Sequence, residues 1–370
     1  MGKQRFKNTG RNSFWGDFLY DQVVPQEHFL RQLDRVIDWE GFGARLLALY
    51  EGRGEFGRPP YPPENLLKML LLAYLFNLSE RQVEEWVNDS LAARCFLHLA
   101  AHERAPDHST LSAFKERIVV RGQEACLQEL LAEIIRQAQA RGVRFGTIQV
   151  VDSTHVVANV NVVQEEARVA AGQPPRDEGA RWGVKGKRVV RDAQGARVVR
   201  EEYFYGYKVH TSLNTGAEMI TSVVVTPGNA PDNEQFAELV ARDRAQGLAV
   251  ETYAADRGYD DTENHYLLES LGLHSAIRLK RTRTEKRDGN KEVWVALQAT
   301  PQYQAGQQER YKMERKYGEA KEYHGLRRCR YVGWLCCTLQ AYLTAIALNL
   351  KRLVRLLTGV PFRGGVPVVA

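Results

Sequence analysis

The spacing of apolar positions changes once along this chain, near residue 146, and the change divides it in two. Before that point apolar residues recur at the interval of a helix face, as in Phe29, Leu30, Leu33, Val36 and Ile37. Pro59 to Pro63 predicts a linker, followed by a strongly apolar helix from Glu64 to Asn77. Ser79-Glu80-Arg81-Gln82 has the form of a capping box, a serine oxygen meeting a free backbone amide while a glutamine reaches back. Pro106-Asp107-His108-Ser109-Thr110 breaks the pattern before a helix through Phe114 and Ile118, and Gln123 to Ala140 closes the series. An all-α domain over residues 1–140 is expected.

Beyond Gly146 the period falls to two. Thr147-Ile148-Gln149-Val150-Val151-Asp152 predicts a β-branched strand ending on an acid. Tyr203 to Leu213 and Ala217 to Thr226 alternate as two strands around an Asn214-Thr215-Gly216 turn. Asp232 is placed to cap a helix over Asn233 to Ala245, with Gln235 three residues on. Ala249 to Ala255 predicts a fourth strand ending at Asp256, and Ser275 to Leu279 a fifth, with a helix from Thr262 to Leu271 between them. Arg281 to Asn290 reads as a basic loop, and a helix from about Gln307 to Tyr323 carries Glu314. Tyr331 to Leu350 approaches membrane-span length, but Thr338, Gln340, Thr344 and Asn349 mark it as a buried core helix. The order of elements is that of an α/β, RNase H-like mixed five-stranded sheet flanked by helices. It would occupy 141–357, with an insertion near 160–200 and a flexible tail at 358–370.

Composition adds partners to this outline. At 44% hydrophobic and 26% charged residues the chain can bury a real core. Its five cysteines form no Cys-x-x-Cys pair, which suits reduced thiols and a cytoplasmic protein, and Met1 to Arg11 is polar and basic rather than a secretory leader. No membrane association is expected. The net charge of +6 is unevenly spread: Arg310 to Arg330 holds eight Lys or Arg against three acids, and Arg278 to Lys291 seven against two. Such packing of charge suits phosphate contacts, or else a solvated helix face and a basic loop. His155 and His210 have no ligand-spaced partners for zinc, and no glycine-rich loop of the ATP-binding type is present.

Cleaving and joining phosphodiesters needs charge neutralisation, supplied by two divalent ions about 4 Å apart that activate one oxygen and stabilise another. Hard ions such as Mg²⁺ take carboxylate oxygens. Asp152 and Asp256, at the ends of strands that neighbour each other in an RNase H-like sheet, meet that need, although a strand-end aspartate also caps turns. Asp152-Ser153-Thr154 and Ala255-Asp256-Arg257-Gly258-Tyr259 resemble the first two acidic motifs of bacterial insertion-sequence DDE transposases. In that family the third acid lies in a pattern of Tyr, two residues, Arg, three residues, Glu, six residues, Lys. Arg310, Glu314 and Lys321 fit that spacing, and Gln307 departs from it at the tyrosine. On one helix Glu314 and Lys321 fall within about 20° of each other, with Arg310 and Tyr317 on the same stripe. Arg310 and Glu314 also fit a plain i,i+4 surface ion pair.

The resemblance extends over roughly residues 20 to 335. It takes in Ser79 to Gln82, Pro106 to Phe114, Asp177 to Gly183, Phe204 to His210, Val225 to Asn229 with Asp232, Tyr317-Gly318, and the basic-aromatic run Gly325 to Gly333. It implies a helical domain that helps bind the element's ends. It also implies Mg²⁺ (or Mn²⁺) chemistry at two ions, exposing 3′-hydroxyls that attack target DNA. Asp152 and Asp256 would hold the metals and Glu314 would complete the site. Arg310 and Lys321 would meet phosphates of double-stranded DNA, with Lys208, Arg327, Arg328 and Arg330 as further contacts, in a homodimer or larger complex. For Lys208 and His210 a strand-surface pair is an equal reading. A catalytically silent DNA-binding descendant and a metal-dependent nuclease without strand transfer are the alternatives.

Overall fold

The computed structural model describes residues 6–7, 14–50, 59–100, 102–191, 197–285 and 291–363, and the chain divides into two compact units. Unit one comprises Met1–Val143 together with Tyr342–Ala370. Its helices are α1 (Phe14–Val23), α2 (Phe29–Val36), α3 (Trp39–Leu46), α4 (Pro63–Leu75), α5 (Glu80–Asp89), α6 (Leu91–Phe96), α7 (His108–Arg117) and α8 (Gln123–Ala140). α4 is buried along nearly its whole length, as its run of leucines requires. Its one cation, Lys68, is satisfied by the Asp34 carboxylate at 2.7 Å and the Phe96 carbonyl at 3.1 Å. The capping box forms as expected: the Ser79 hydroxyl accepts from the Gln82 amide and the Gln82 side chain accepts from the Ser79 amide.

Unit two, Arg144–Ala341, carries the sheet. Its strands are β1 (Ile148–Val157), β2 (Arg181–Arg191), β3 (Arg197–Asn214), β4 (Met219–Pro227), β5 (Thr252–Ala255) and β6 (His274–Ile277). β4, β3, β1, β5 and β6 lie side by side in that order. The β4–β3–β1 pairings are antiparallel and the β1–β5–β6 pairings parallel. This is the mixed order expected of the five strands, with helices α9 (Val162–Ala170), α10 (Phe236–Ala245), α11 (Thr262–Ser270), α12 (Arg281–Glu285), α13 (Lys291–Ala299), α14 (Pro301–Glu309) and α15 (Tyr311–Tyr323) around it. One core layer is Val151, Phe236, Leu239, Tyr253, Tyr259, Leu268 and Ile277, where α10 and α11 cover the sheet.

Five expectations need correction. The sheet has a sixth strand, β2, which lies in the expected insertion and pairs with an N-terminal extension of β3. The helix expected from Gln307 to Tyr323 is two, broken at Arg310, so Arg310 precedes the helix that bears Glu314. The loop expected at Arg281 to Asn290 opens with the short α12, and residues 286–290 lie outside the described ones. The helix α16 (Trp334–Thr358) belongs to unit two only through Ala341. The tail expected to be flexible from 358 is held in unit one as far as described: Phe362 lies 4.9 Å from the Phe29 ring and 5.1 Å from that of Phe76, while residues 364–370 lie outside the description.

Candidate active site

The parallel pairing of β1 with β5 ends at Val151 opposite Ala255. Asp152 and Asp256 are the next residue on each strand, which sets the two acids beside one another at about the 5 Å spacing of neighbouring strands. Asp152 is not the end of β1: the strand continues to Val157 because β3 goes on pairing with it, Asp152 opposite Thr211 and Val157 opposite Gly206. What ends at Asp152 is the parallel partner, so the acid stands at a step in the sheet. Burial, and next to it the charge of Asp256, push the Asp152 carboxyl up to about 7. Asp256 also serves its own backbone, accepting from the Gly258 amide at 2.8 Å to open a short 3-10 turn.

α15 is fastened to this step by Tyr317 and by Met313, whose sulfur accepts from the Thr211 hydroxyl at 3.3 Å. The buried Tyr317 hydroxyl donates to the Asp152 carbonyl and lies against the Thr211 hydroxyl, each at 2.7 Å. Glu314 projects one turn before Tyr317 on the same helix and is exposed. It lines a cleft of about 580 Å³ with Arg257, Arg278, Arg310 and Tyr311. The Arg310 Nε is buried without a hydrogen-bond partner. Lys321, one turn beyond Tyr317, is half-buried; burial, then Arg327 and Lys185, pull its ammonium down, and Asp152 acts the other way. Among the described residues no three His, Cys, Asp or Glu side chains are gathered closely enough to hold a metal ion. The aspartates stand together, and Glu314 stands off along α15.

Asp232 is not the helix cap that its position suggests. Its side chain bonds no backbone amide, and the α-helix begins only at Phe236. It turns instead to Lys208, whose ammonium donates to the Asp232 carboxylate and to the Ala230 carbonyl, each at 2.8 Å. A Cβ added at Gly258 would lie 3.0 Å from an Asp256 oxygen and 3.2 Å from an Asp232 oxygen. The absent side chain thus lets the two carboxylates converge on one spot. His210, wholly buried, lies between the Tyr259 hydroxyl (3.1 Å) and the Thr226 hydroxyl (2.9 Å), and burial brings its imidazole down to about 4. Lys208 and His210 therefore face the acids rather than forming a strand-surface pair.

Two family descriptions match the chain: "Transposase domain (DUF772)" over residues 18–117, and "Transposase DDE domain" over 144–350. The second alone spans more than half of the sequence. The chain belongs to the DDE transposases. Solved structures with remote similarity include a piggyBac transposase synaptic complex with hairpin DNA (9% identity, 95% of this chain and 77% of that one, TM-score 0.44). They also include a Mos1 transposase paired-end complex with left transposon end (10%, 74% and 83%, 0.20) and a pre-cleavage Mos1 transpososome (11%, 85% and 83%, 0.21).

In this transposase the remaining expected DNA contacts differ in availability. Arg327 is exposed and ion-paired with Glu322. Arg328, exposed as well, donates to the Asn159 side chain (3.3 Å) and the Val160 carbonyl (3.2 Å). The run that holds them is pinned by Gln340, which accepts from the Arg330 amide and donates to the Gly325 and Arg328 carbonyls. Arg257 joins the cleft without having been singled out from the sequence; its place beside Asp256 was the only signal. No described helix is long and apolar enough to cross a membrane.

The aspartate pair suits a hard divalent cation. A buried carboxyl raised to about 7 by its burial and by a like charge beside it is short of positive charge, and carboxylate oxygens are the donors that hard divalent ions take.

Proposed function

We propose that this transposase cuts at the ends of an insertion sequence and joins the freed 3′-hydroxyls to target DNA, with Asp152, Asp256 and Glu314 as its catalytic acids. The observation that carries the reading is the placement of Asp152 and Asp256 side by side where their parallel pairing stops. A bound pair of divalent cations, Mg²⁺ or Mn²⁺, supplies activation of the attacking oxygen and stabilisation of the leaving one. Asp152 and Asp256 would hold it, with Glu314 on α15 as the third acid. Arg310 has a buried donor to spare at that cleft and meets a phosphate there. Lys321 does the same on the Asp152 side. Lys208 neutralises Asp232, so that a third carboxylate can stand near the pair without repelling it. Arg327, Arg328 and Arg330 extend the basic surface along the DNA. Double-stranded element ends and target DNA are the partners, and joining two ends calls for a homodimer or larger assembly in the nucleoid.

The test is nicking of element-end DNA in Mg²⁺. Asp152→Ala, Asp256→Ala and Glu314→Ala are expected to abolish it while salt-sensitive DNA binding persists. Equal cleavage by wild type and all three variants would remove the site from the account. Cleavage without joining by the wild type would favour a nuclease over a transposase.

A further inference from the structure

β3 leads two lives. From Gly206 to Asn214 it lies inside the sheet, paired with β1. Residues 197–204 pair, among the described residues, with β2 alone, while the Tyr205 carbonyl still accepts from the Ala158 amide at 2.9 Å. The result is a two-stranded ribbon that continues about 30 Å beyond the last β1 pair, at about 3.3 Å per residue. Gly206 is the exit point: a Cβ there would meet the Val156 carbonyl at 2.1 Å, so only glycine lets β3 pass from sheet to ribbon. Trp182, Val189, Val199 and Tyr203 are all exposed.

The charges of the ribbon are complementary near the sheet, where the register sets Lys187 opposite Glu201, and repulsive toward its far end. Arg181 to Tyr205 contains seven Lys or Arg and three acids. Lys185 pairs with Glu202 at 3.8 Å. Toward the far end the register sets Arg191 directly opposite Arg197. Like charges at directly opposed positions of an antiparallel pair destabilise it. Arg191, Arg197 and Arg200 are exposed, and no acid pairs with any of them among the described residues. A ribbon selected only to fold would place an acid across from Arg191 or Arg197. At that position this one keeps cation against cation, which makes sense when anions arrive from outside. A two-stranded ribbon has the width that a DNA major groove admits, and phosphates flank that groove on both sides. A second copy of the chain is a poorer occupant, since it would bring the same arginines against themselves.

We infer that the β2–β3 ribbon is a DNA-binding arm whose Arg191, Arg197 and Arg200 grip duplex phosphates outside the catalytic cleft. The inference rests on the DNA reading of the preceding subsection and adds to it a contact surface that the acids and the cleft do not require.

The experiment uses the full chain and duplex DNA of arbitrary sequence, with binding followed by fluorescence anisotropy across a salt series. Replacing all three arginines by glutamine is expected to weaken binding at least tenfold at low salt. The slope of log affinity against log salt should fall by between two and three, at about 0.9 per lost phosphate contact. A second variant separates binding from folding. Arg197→Glu places an acid opposite Arg191, so its melting temperature should hold or rise while its DNA affinity falls. Unchanged affinity and slope in both variants would overturn the arm. So would a shift in sedimentation to a smaller assembly with DNA affinity intact, which would make the ribbon a self-association element. Mg²⁺-dependent nicking by the wild type, run alongside, keeps the two readings apart. If it persists while the arm variants match wild-type binding, only the arm fails; if the wild type neither binds nor nicks duplex DNA, the transposition reading itself fails.

Discussion

Two inward-facing carboxylates, one in each unit, show how differently this protein treats a charged group. Glu133, on α8 of the helical unit, is met by Arg45, Arg136 and the Gln137 side chain. Burial alone would raise its carboxyl, but the hydrogen bonds from Arg136, Gln137 and Arg45 outweigh it and hold the group at about 2. Asp152, at the step in the sheet, receives one hydrogen bond from its neighbour's amide and faces a second aspartate, and it is pushed the other way, to about 7. The first acid is finished by the fold, and the second is left needing a cation the chain does not provide. A fold has no reason of its own to assemble such a pair, so an acid as strongly perturbed and under-compensated as Asp152 points to chemistry.

The sharpest way to break the contrast is to remove each acid in turn. Asp152→Ala should lower Mg²⁺-dependent nicking on the order of a thousandfold or more while leaving the melting temperature unchanged or higher, since a repulsive group has gone. Glu133→Ala should do the reverse, costing about 2 kcal/mol of unfolding free energy with nicking per folded molecule intact. A large loss of stability from Asp152→Ala would mean that the aspartate is structural after all.

The pH dependence of stability carries the same contrast. Glu133 has a depressed carboxyl in the folded state, so its contribution is complete above the ordinary value of 4.5 and drains away as pH falls from there toward about 2. Denaturant unfolding between pH 5 and 3 should therefore be less steep for Glu133→Gln than for wild type. Equal slopes would show that the arginines do not grip the acid.

Smaller effects sharpen the picture on the functional side. Lys208→Met, which strips Asp232 of its counter-ion, should slow nicking about tenfold and raise the metal concentration needed, without loss of DNA affinity, and Lys208→Arg should restore most of the rate. A matching loss of DNA affinity would return Lys208 to the list of phosphate contacts. Lys321→Ala should weaken DNA binding a few-fold and reduce the salt slope by about one, with metal binding retained.

Much of this arrangement was legible in the sequence because the signals are local. The period-2 runs gave all five core strands, and the Ser79 to Gln82 capping box formed as read. The adjacency of Asp152 and Asp256 followed from strand order once each was seen beside its apolar run. Other features were hidden because they depend on partners remote in the chain. Asp232 looks like a helix cap, and only Lys208, 24 residues away, shows why it is not one. β2 went unseen because its apolar residues are exposed and interleaved with basic ones, so the alternation that marks a half-buried strand is missing. The break at Arg310 left no proline or glycine to betray it, and with it went the assumption that Arg310 and Glu314 share one helix. The standing-off of Glu314 is likewise a matter of tertiary distance, which motif spacing does not encode.

The central claim is that Asp152 and Asp256 together form a cation site, and calorimetric titration of Mn²⁺ into the full chain tests it without DNA or turnover. The account predicts saturable binding by the wild type, lost in both Asp152→Asn and Asp256→Asn while far-ultraviolet circular dichroism stays the same. Binding of equal strength and stoichiometry in all three proteins would contradict it.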